Sequence, residues 1–166
     1  MNTPHQPRLD RALHSLLQTH RVAALGTLDV DGQPFVSMVP FAVDRDSAQL
    51  IIHVSLLAPH TRNLLSQPTV SMMVMQAETP AEPVHALPRV SMTGAAQRLP
   101  VQSPAWQLAR AIYLARFPEA EPITELGDFS FFAIKVTAAR HVAGFGNARP
   151  LDGTEMATVL KWSESE

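Results

Sequence analysis

The stretch from His53 to Asn63 holds the densest set of groups able to do chemistry in this chain. An apolar strand pattern ends in Ser55, and Pro59 then opens a short helix carrying His60, Thr61, Arg62 and Asn63 in its first turns. The opening N–H groups of a helix lack intrahelical partners and sit at the positive end of its dipole. An imidazole, a hydroxyl and a guanidinium added there make a receptor for a phosphate monoester. The same residues also suit plain helix capping with a polar surface, so the segment alone leaves both readings open. Ser37, on an earlier strand interrupted by Pro40, and Arg89, opening a later strand, could reach the same place.

The seven histidines, at positions 5, 14, 20, 53, 60, 85 and 141, contain no i, i+4 pair on a helix and no H-x-H pair on a strand. Nothing local therefore supplies the three or four converging ligands of a zinc site, and no metal is expected. Gly144-Phe145-Gly146-Asn147-Ala148-Arg149 starts like a dinucleotide fingerprint. Arg149 stands in place of the third glycine, and no βαβ unit can follow so late in the chain. No P-loop, nucleophile elbow or H-E-x-x-H motif is present.

The elements that must position these groups follow from periodicity. Leu9, Leu13, Leu16 and Leu17 recur on one helical face, predicting a helix that ends near His20. Strands are expected over 22–28, 35–43, 49–54, 70–75, 89–99 and 129–136, with Asp31-Gly32 closing the first hairpin. Pro59 to Leu65 forms the short helix, stopped by Gln67-Pro68. A longer helix runs from Ser103 or Pro104 to about Phe117, a last extended piece spans 141–146, and 154–162 adds a short amphipathic helix. Hairpin-length turns without strict βαβ alternation favour an antiparallel sheet closing into a small barrel, ahead of an open α+β sheet. The stripe Val70, Met72, Met73, Val74 and Met75 serves equally as core or as an apolar dimer face.

The chain has 166 residues, 46% of them hydrophobic, and suits a single folded domain, 1–166, with an N-terminal helix (1–20) and a C-terminal tail (150–166). Thirteen basic against fifteen acidic side chains leave no basic field for nucleic acid, and no stretch is long and apolar enough for a membrane. Zero cysteines exclude disulfides, thiolate metal sites and iron–sulfur clusters, and fit a cytoplasmic location.

In order and spacing, several segments resemble the FMN-binding split β-barrel family, the pyridoxamine-phosphate oxidase-like superfamily. They are Ala24-Leu25-Gly26-Thr27, Asp31-Gly32-Gln33-Pro34, Ser37-Met38-Val39-Pro40-Phe41, and Ser55 to Leu64 with Gln67-Pro68. Ala143 to Ala148 is similar to the glycine–phenylalanine–glycine ending of the haem-utilisation branch. The resemblance implies an antiparallel six-stranded split β-barrel with flanking helices, and a homodimer binding FMN in two interface clefts. It implies that Ser37, Met38, Val39 and Pro40 lie along the isoalloxazine and ribityl chain, with His53, Val54 and Ser55 beneath the flavin. His60 falls where the oxidases carry a phosphate-binding lysine, with Thr61 and Arg62 beside it, and Arg89 falls where the family reaches the flavin.

The function expected on this resemblance is an FMN-dependent oxidoreductase acting on an unidentified small-molecule substrate. Pyridoxamine phosphate is not that substrate, because Arg140-His141 lacks the spacer of the oxidases' arginine–x–histidine pair. Histidine for lysine at position 60 gives a weaker, pH-dependent cation, its unperturbed pKa being about 6.5, for which Arg62 could compensate. The alternative is haem binding or degradation on the same barrel, with His141 as the axial ligand. A flavin sensor or store, or a barrel that has lost its cofactor, is the non-catalytic reading. No residue is a persuasive general acid or base, so none is assigned a catalytic role.

Overall fold

The computed structural model describes residues 5–163. The helix expected over 1–20 is α1, His5–Thr19, and its first four residues lie outside the described range, as do 164–166 of the expected tail. α1 lays Leu13, Leu16 and Leu17 into the core, as its leucine spacing requires.

The sheet is built from β1 (Val22–Leu28), β2 (Pro34–Pro40), β3 (Ala42–Asp44), β4 (Gln49–Ser55), β5 (Thr69–Met75), β6 (Arg89–Arg98), β7 (Phe129–Val142) and β8 (Ala148–Asp152). α2 (Pro59–Ser66) follows β4, α3 (Pro104–Arg116) and the single turn α4 (Glu121–Thr124) follow β6, and α5 (Gly153–Lys161) ends the described chain. Every ladder is antiparallel, in the order β2-β1-β5-β6-β7-β4-β3, with β8 added to β7. The expected barrel class is therefore present, but with eight strand segments instead of six.

Two events account for the extra segments. The stretch read as one strand over 35–43 bends at Phe41: β2 pairs with β1, whereas β3 pairs with β4. Pro40 has no N–H for a ladder, and the Phe41 N–H donates to the Arg21 carbonyl at 3.1 Å while its ring is fully buried. Because β2 and β3 are the two ends of the sheet's path, this single bend closes the barrel. At the other end of the sequence, the strand expected to stop at 136 runs on to Val142 and takes in the first two residues of the extended piece expected over 141–146, whose remainder is a turn. Ala148–Asp152 then folds back onto it, so the residues assigned to a tail form β8 and α5. Asp152 caps α5 by accepting from the Thr154 and Glu155 N–H groups, and the Glu155 carboxylate accepts from the Asp152 N–H in return.

A bulge between Thr93 and Gly94 shifts the β6–β7 register. A Cβ at Gly94 would lie 2.4 Å from the Lys135 carbonyl oxygen, so the close approach there needs glycine.

Two cores result. Leu25, Phe41, Leu50, Ile52, Met72, Val90, Met92, Phe132 and Ile134 fill the barrel, sealed by α1 and by Met156, Val159 and Leu160 of α5. Ile51, Phe131 and Ala133 point outward and are covered by Tyr113 and Phe117 from the α3 side. Strand alternation divides the methionine stripe: Val70, Met72 and Val74 are core, whereas Met73 and Met75 are exposed on the outer face. No helix among the described residues is long and apolar enough to cross a membrane.

Candidate functional site

The turn from β4 into α2 is built from the inside out. Thr61 is fully buried and its hydroxyl donates to the Ser55 carbonyl at 2.6 Å, tying the first turn of α2 back to the strand. Asn63, also buried, donates through Nδ2 to the Thr27 hydroxyl at 3.0 Å. The Ser55 hydroxyl accepts from the Leu57 N–H at 3.2 Å. His60 is half-buried, and its Nδ1 lies 2.9 Å from the Ser37 hydroxyl on β2, while Arg62 is exposed. Ser37 and His60 therefore meet as expected. Burial pushes the His60 pKa below its ordinary value, so its imidazole is neutral at neutral pH. Thr61 has already committed its proton. The turn thus offers an oxyanion one permanently charged side chain, Arg62.

The other flavin-contact residues expected from sequence fall in separate neighbourhoods. Ser37 lies opposite the buried Leu25, whereas Met38 lies opposite Ala24 on the outer face, so the two point to opposite sides of β2. Val39 and Val54 are core residues, and Pro40 is half-buried at the bend. The register sets Met38, Ala24, Met73 and Ser91 in one row across the outer face, with Met75 and Arg89 paired nearby. Arg89 donates through Nη1 to the Leu87 carbonyl at 2.9 Å. His53 points away from the barrel interior into an aromatic nest. Its ring centroid is 4.2 Å from Phe131, 5.2 Å from Phe129 and 5.7 Å from Tyr113, and burial lowers its pKa to about 4.

A second locus surrounds His141. A cavity of about 530 Å³ opens between α1, the 76–88 connection and the end of β7, with Leu16, Thr19, His20, Gln76, Pro88 and His141 in its wall. His141 is 1% exposed, and its Nδ1 is buried with no hydrogen-bond partner among the described residues. Burial, with the nearby Arg149 adding to it and Asp10 opposing, lowers its pKa to about 4. Arg149 faces His141 across the β7–β8 ladder and forms an ion pair with Asp10 of α1. The ring of His20 lies 3.1 Å through Nδ1 from the Leu16 carbonyl. Sequence reasoning singled out His141 but missed its companions Asp10, His20 and Arg149. They come from distant segments, and no local spacing joins them. A neutral imidazole that lines an apolar cavity, with one buried nitrogen left unused, has the chemistry of a ligand to a soft or borderline metal centre such as haem iron.

Proteins similar to this chain carry names that bear on that chemistry. Heme oxygenase HutZ of Vibrio cholerae serotype O1 is 29% identical over 160 residues, covering 96% of this chain and 90% of HutZ. A chloroplastic heme oxygenase of Arabidopsis thaliana, HOZ, is 36% identical over 118 residues, covering 71% of this chain but only 34% of that protein. The solved structure of a heme binding protein from Mycobacterium smegmatis superposes with a TM-score of 0.80 at 26% identity, covering 90% of this chain and 60% of that one. This chain thus spans about a third of the plant protein and three-fifths of the mycobacterial one. Residues 9–143, nearly the whole barrel with α1, match the family described as Pyridoxamine 5'-phosphate oxidase. With the barrel fold and most of the length in agreement, the chain belongs to the pyridoxamine 5'-phosphate oxidase family, in its haem-utilisation branch.

Proposed function

We propose that this protein binds haem, for storage or degradation, and that His141 would hold its iron. The observation that carries the reading is the imidazole of His141, neutral by burial and without a partner at Nδ1, in the wall of an apolar cavity. The haem names of relatives at 29% and 36% identity support the same ligand. Bound haem supplies the iron and its redox chemistry. The chain's part is to hold one imidazole unprotonated, to fix it through the β7–β8 ladder and the Asp10–Arg149 pair, and to exclude water with Leu16 and Pro88. FMN is the second reading, favoured by the Ser37–His60 contact at the start of α2. It ranks second because, with His60 neutral and the Thr61 proton committed, Arg62 is the one charged side chain that the turn offers its phosphate.

The assembly that goes with this reading is a homodimer. Val36 and Met38 are 69% and 63% exposed, and with Met73 and Met75 they form an apolar outer sheet face that a second copy would cover. Light scattering should give a dimer, and Met38→Glu should return a folded monomer; a monomeric native protein removes this assembly.

Titration of the purified protein with haem, followed by absorption, tests the ligand. A saturable Soret shift near about 400 nm is expected, lost in His141→Ala. A flavin spectrum from the purified protein with no response to haem would overturn the proposal. An unchanged Soret shift in His141→Ala would remove His141 as the ligand.

A further inference from the structure

Arg21, Arg45 and Arg116 line one groove of about 510 Å³ between the C-terminal turn of α1, β3 and α3. No carboxylate lines it, in a chain whose acids outnumber its basic side chains. We propose that this groove is an anion-binding site for a small molecule bearing a carboxylate or phosphate, with its apolar part resting on Val43, Ile112 and Ala115.

Two of the guanidiniums are already fixed in place. Arg116 lies over the Phe41 ring at 5.1 Å, and its Nη2 donates to the Leu17, Gln18 and His20 carbonyls that end α1. Arg21 lies over the Phe117 ring at 4.7 Å, and its Nη2 donates to Glu119 at 2.9 Å and to the Arg116 carbonyl at 3.3 Å. These contacts account for one nitrogen of each fork. Arg116 Nε is buried with no partner, and Nη1 of both side chains has none among the described residues.

Arg45 is exposed and unpartnered among the described residues. Its neighbour Asp44 is occupied instead by the Asp46 and Ser47 N–H groups and the Ser47 hydroxyl. Burial and the positive charge of Arg21 both lower the pKa of Arg116, while Glu119 pairs with Arg21 alone. Planar forks held flat by aromatic rings, with donors left over, match the geometry of an oxyanion better than that of a lone halide. The apolar residues beside them give a ligand's body something to cover. The groove is separate from the His141 cavity, the two meeting only at Thr19, so the inference stands apart from the haem reading.

The test is a pair of titrations of the isotope-labelled full chain, followed by amide and arginine Nε–H resonances. One uses sodium phosphate and one disodium succinate, each against sodium chloride at matched ionic strength. Saturable shifts at Val43, Arg45, Ala115 and the Arg116 Nε–H are expected, with half-saturation at about 1–10 mM. Arg45→Glu reverses a charge on an exposed turn outside the core and should weaken binding about tenfold or more. Tighter phosphate binding assigns a phosphate ester, and tighter succinate binding a carboxylate. Shifts that do not saturate, that chloride reproduces, or that survive Arg45→Glu would overturn the proposal.

Discussion

His53 and His141 lie at similar depth in different parts of the molecule, and burial lowers the pKa of each to about 4. Their surroundings differ in kind. His53 is wrapped by Phe129, Phe131 and Tyr113, so its ring is packed as an aromatic and helps fasten α3 to the sheet. His141 has a buried nitrogen with no partner and a cavity at its side. Low basicity therefore marks both residues but does not separate them. What sets the proposed ligand apart from the packing histidine is its unpartnered nitrogen together with the cavity that its residue lines.

The comparison breaks most sharply on substitution. His141→Ala should weaken haem binding by about 100-fold in an absorption titration, with the far-UV spectrum unchanged. His53→Ala should do the reverse. Removing a ring from the aromatic cluster should cost about 2–4 kcal/mol in urea unfolding, with haem affinity preserved. Haem loss in His53→Ala without destabilisation would invert the assignment.

Acid is a milder probe of the same pair. With folded pKa values near 4 and an unfolded value of 6.5, the unfolded chain takes up protons first as pH falls. Stability should be complete above pH 6.5 and decline towards pH 4, by roughly 1–3 kcal/mol for each histidine. Urea midpoints across that window check it, and either alanine variant should show a shallower decline. The smallest effect is expected at the surface. His60→Ala removes one half-buried hydrogen bond to Ser37 and should cost about 0.5–1.5 kcal/mol, measured by thermal melting.

Elements with a strong local signal were legible in the sequence. The leucines of α1, the Asp31-Gly32 hairpin, Pro59 at the head of α2 and Ser103 ahead of α3 each carry their own start or turn chemistry. Pro40 marked an interruption, but the switch of partner at Phe41 was not legible, because an apolar run reads the same whether its halves pair with one neighbour or two. The length of β7 was hidden by Thr137-Ala138-Ala139, small residues that look like a loop; Ala138 and Ala139 pair with Thr93 and Met92, and Thr137 is the extra residue of the bulge. At the site, the Ser37–His60 meeting followed from strand and helix order. The placing of His53 did not, since strand alternation says that it faces away from Val54 but not that Tyr113 arrives from about sixty residues later to cover it. The Asp10–Arg149 pair, 139 residues apart, has no local trace.

The joint at Phe41 also bears on how the barrel comes apart. Since one continuous backbone supplies both margins of the sheet, neither margin can peel off without pulling on the other. Amide exchange at β2 and β3 should therefore be concerted, opening as one unit despite the opposite partners the two segments hold.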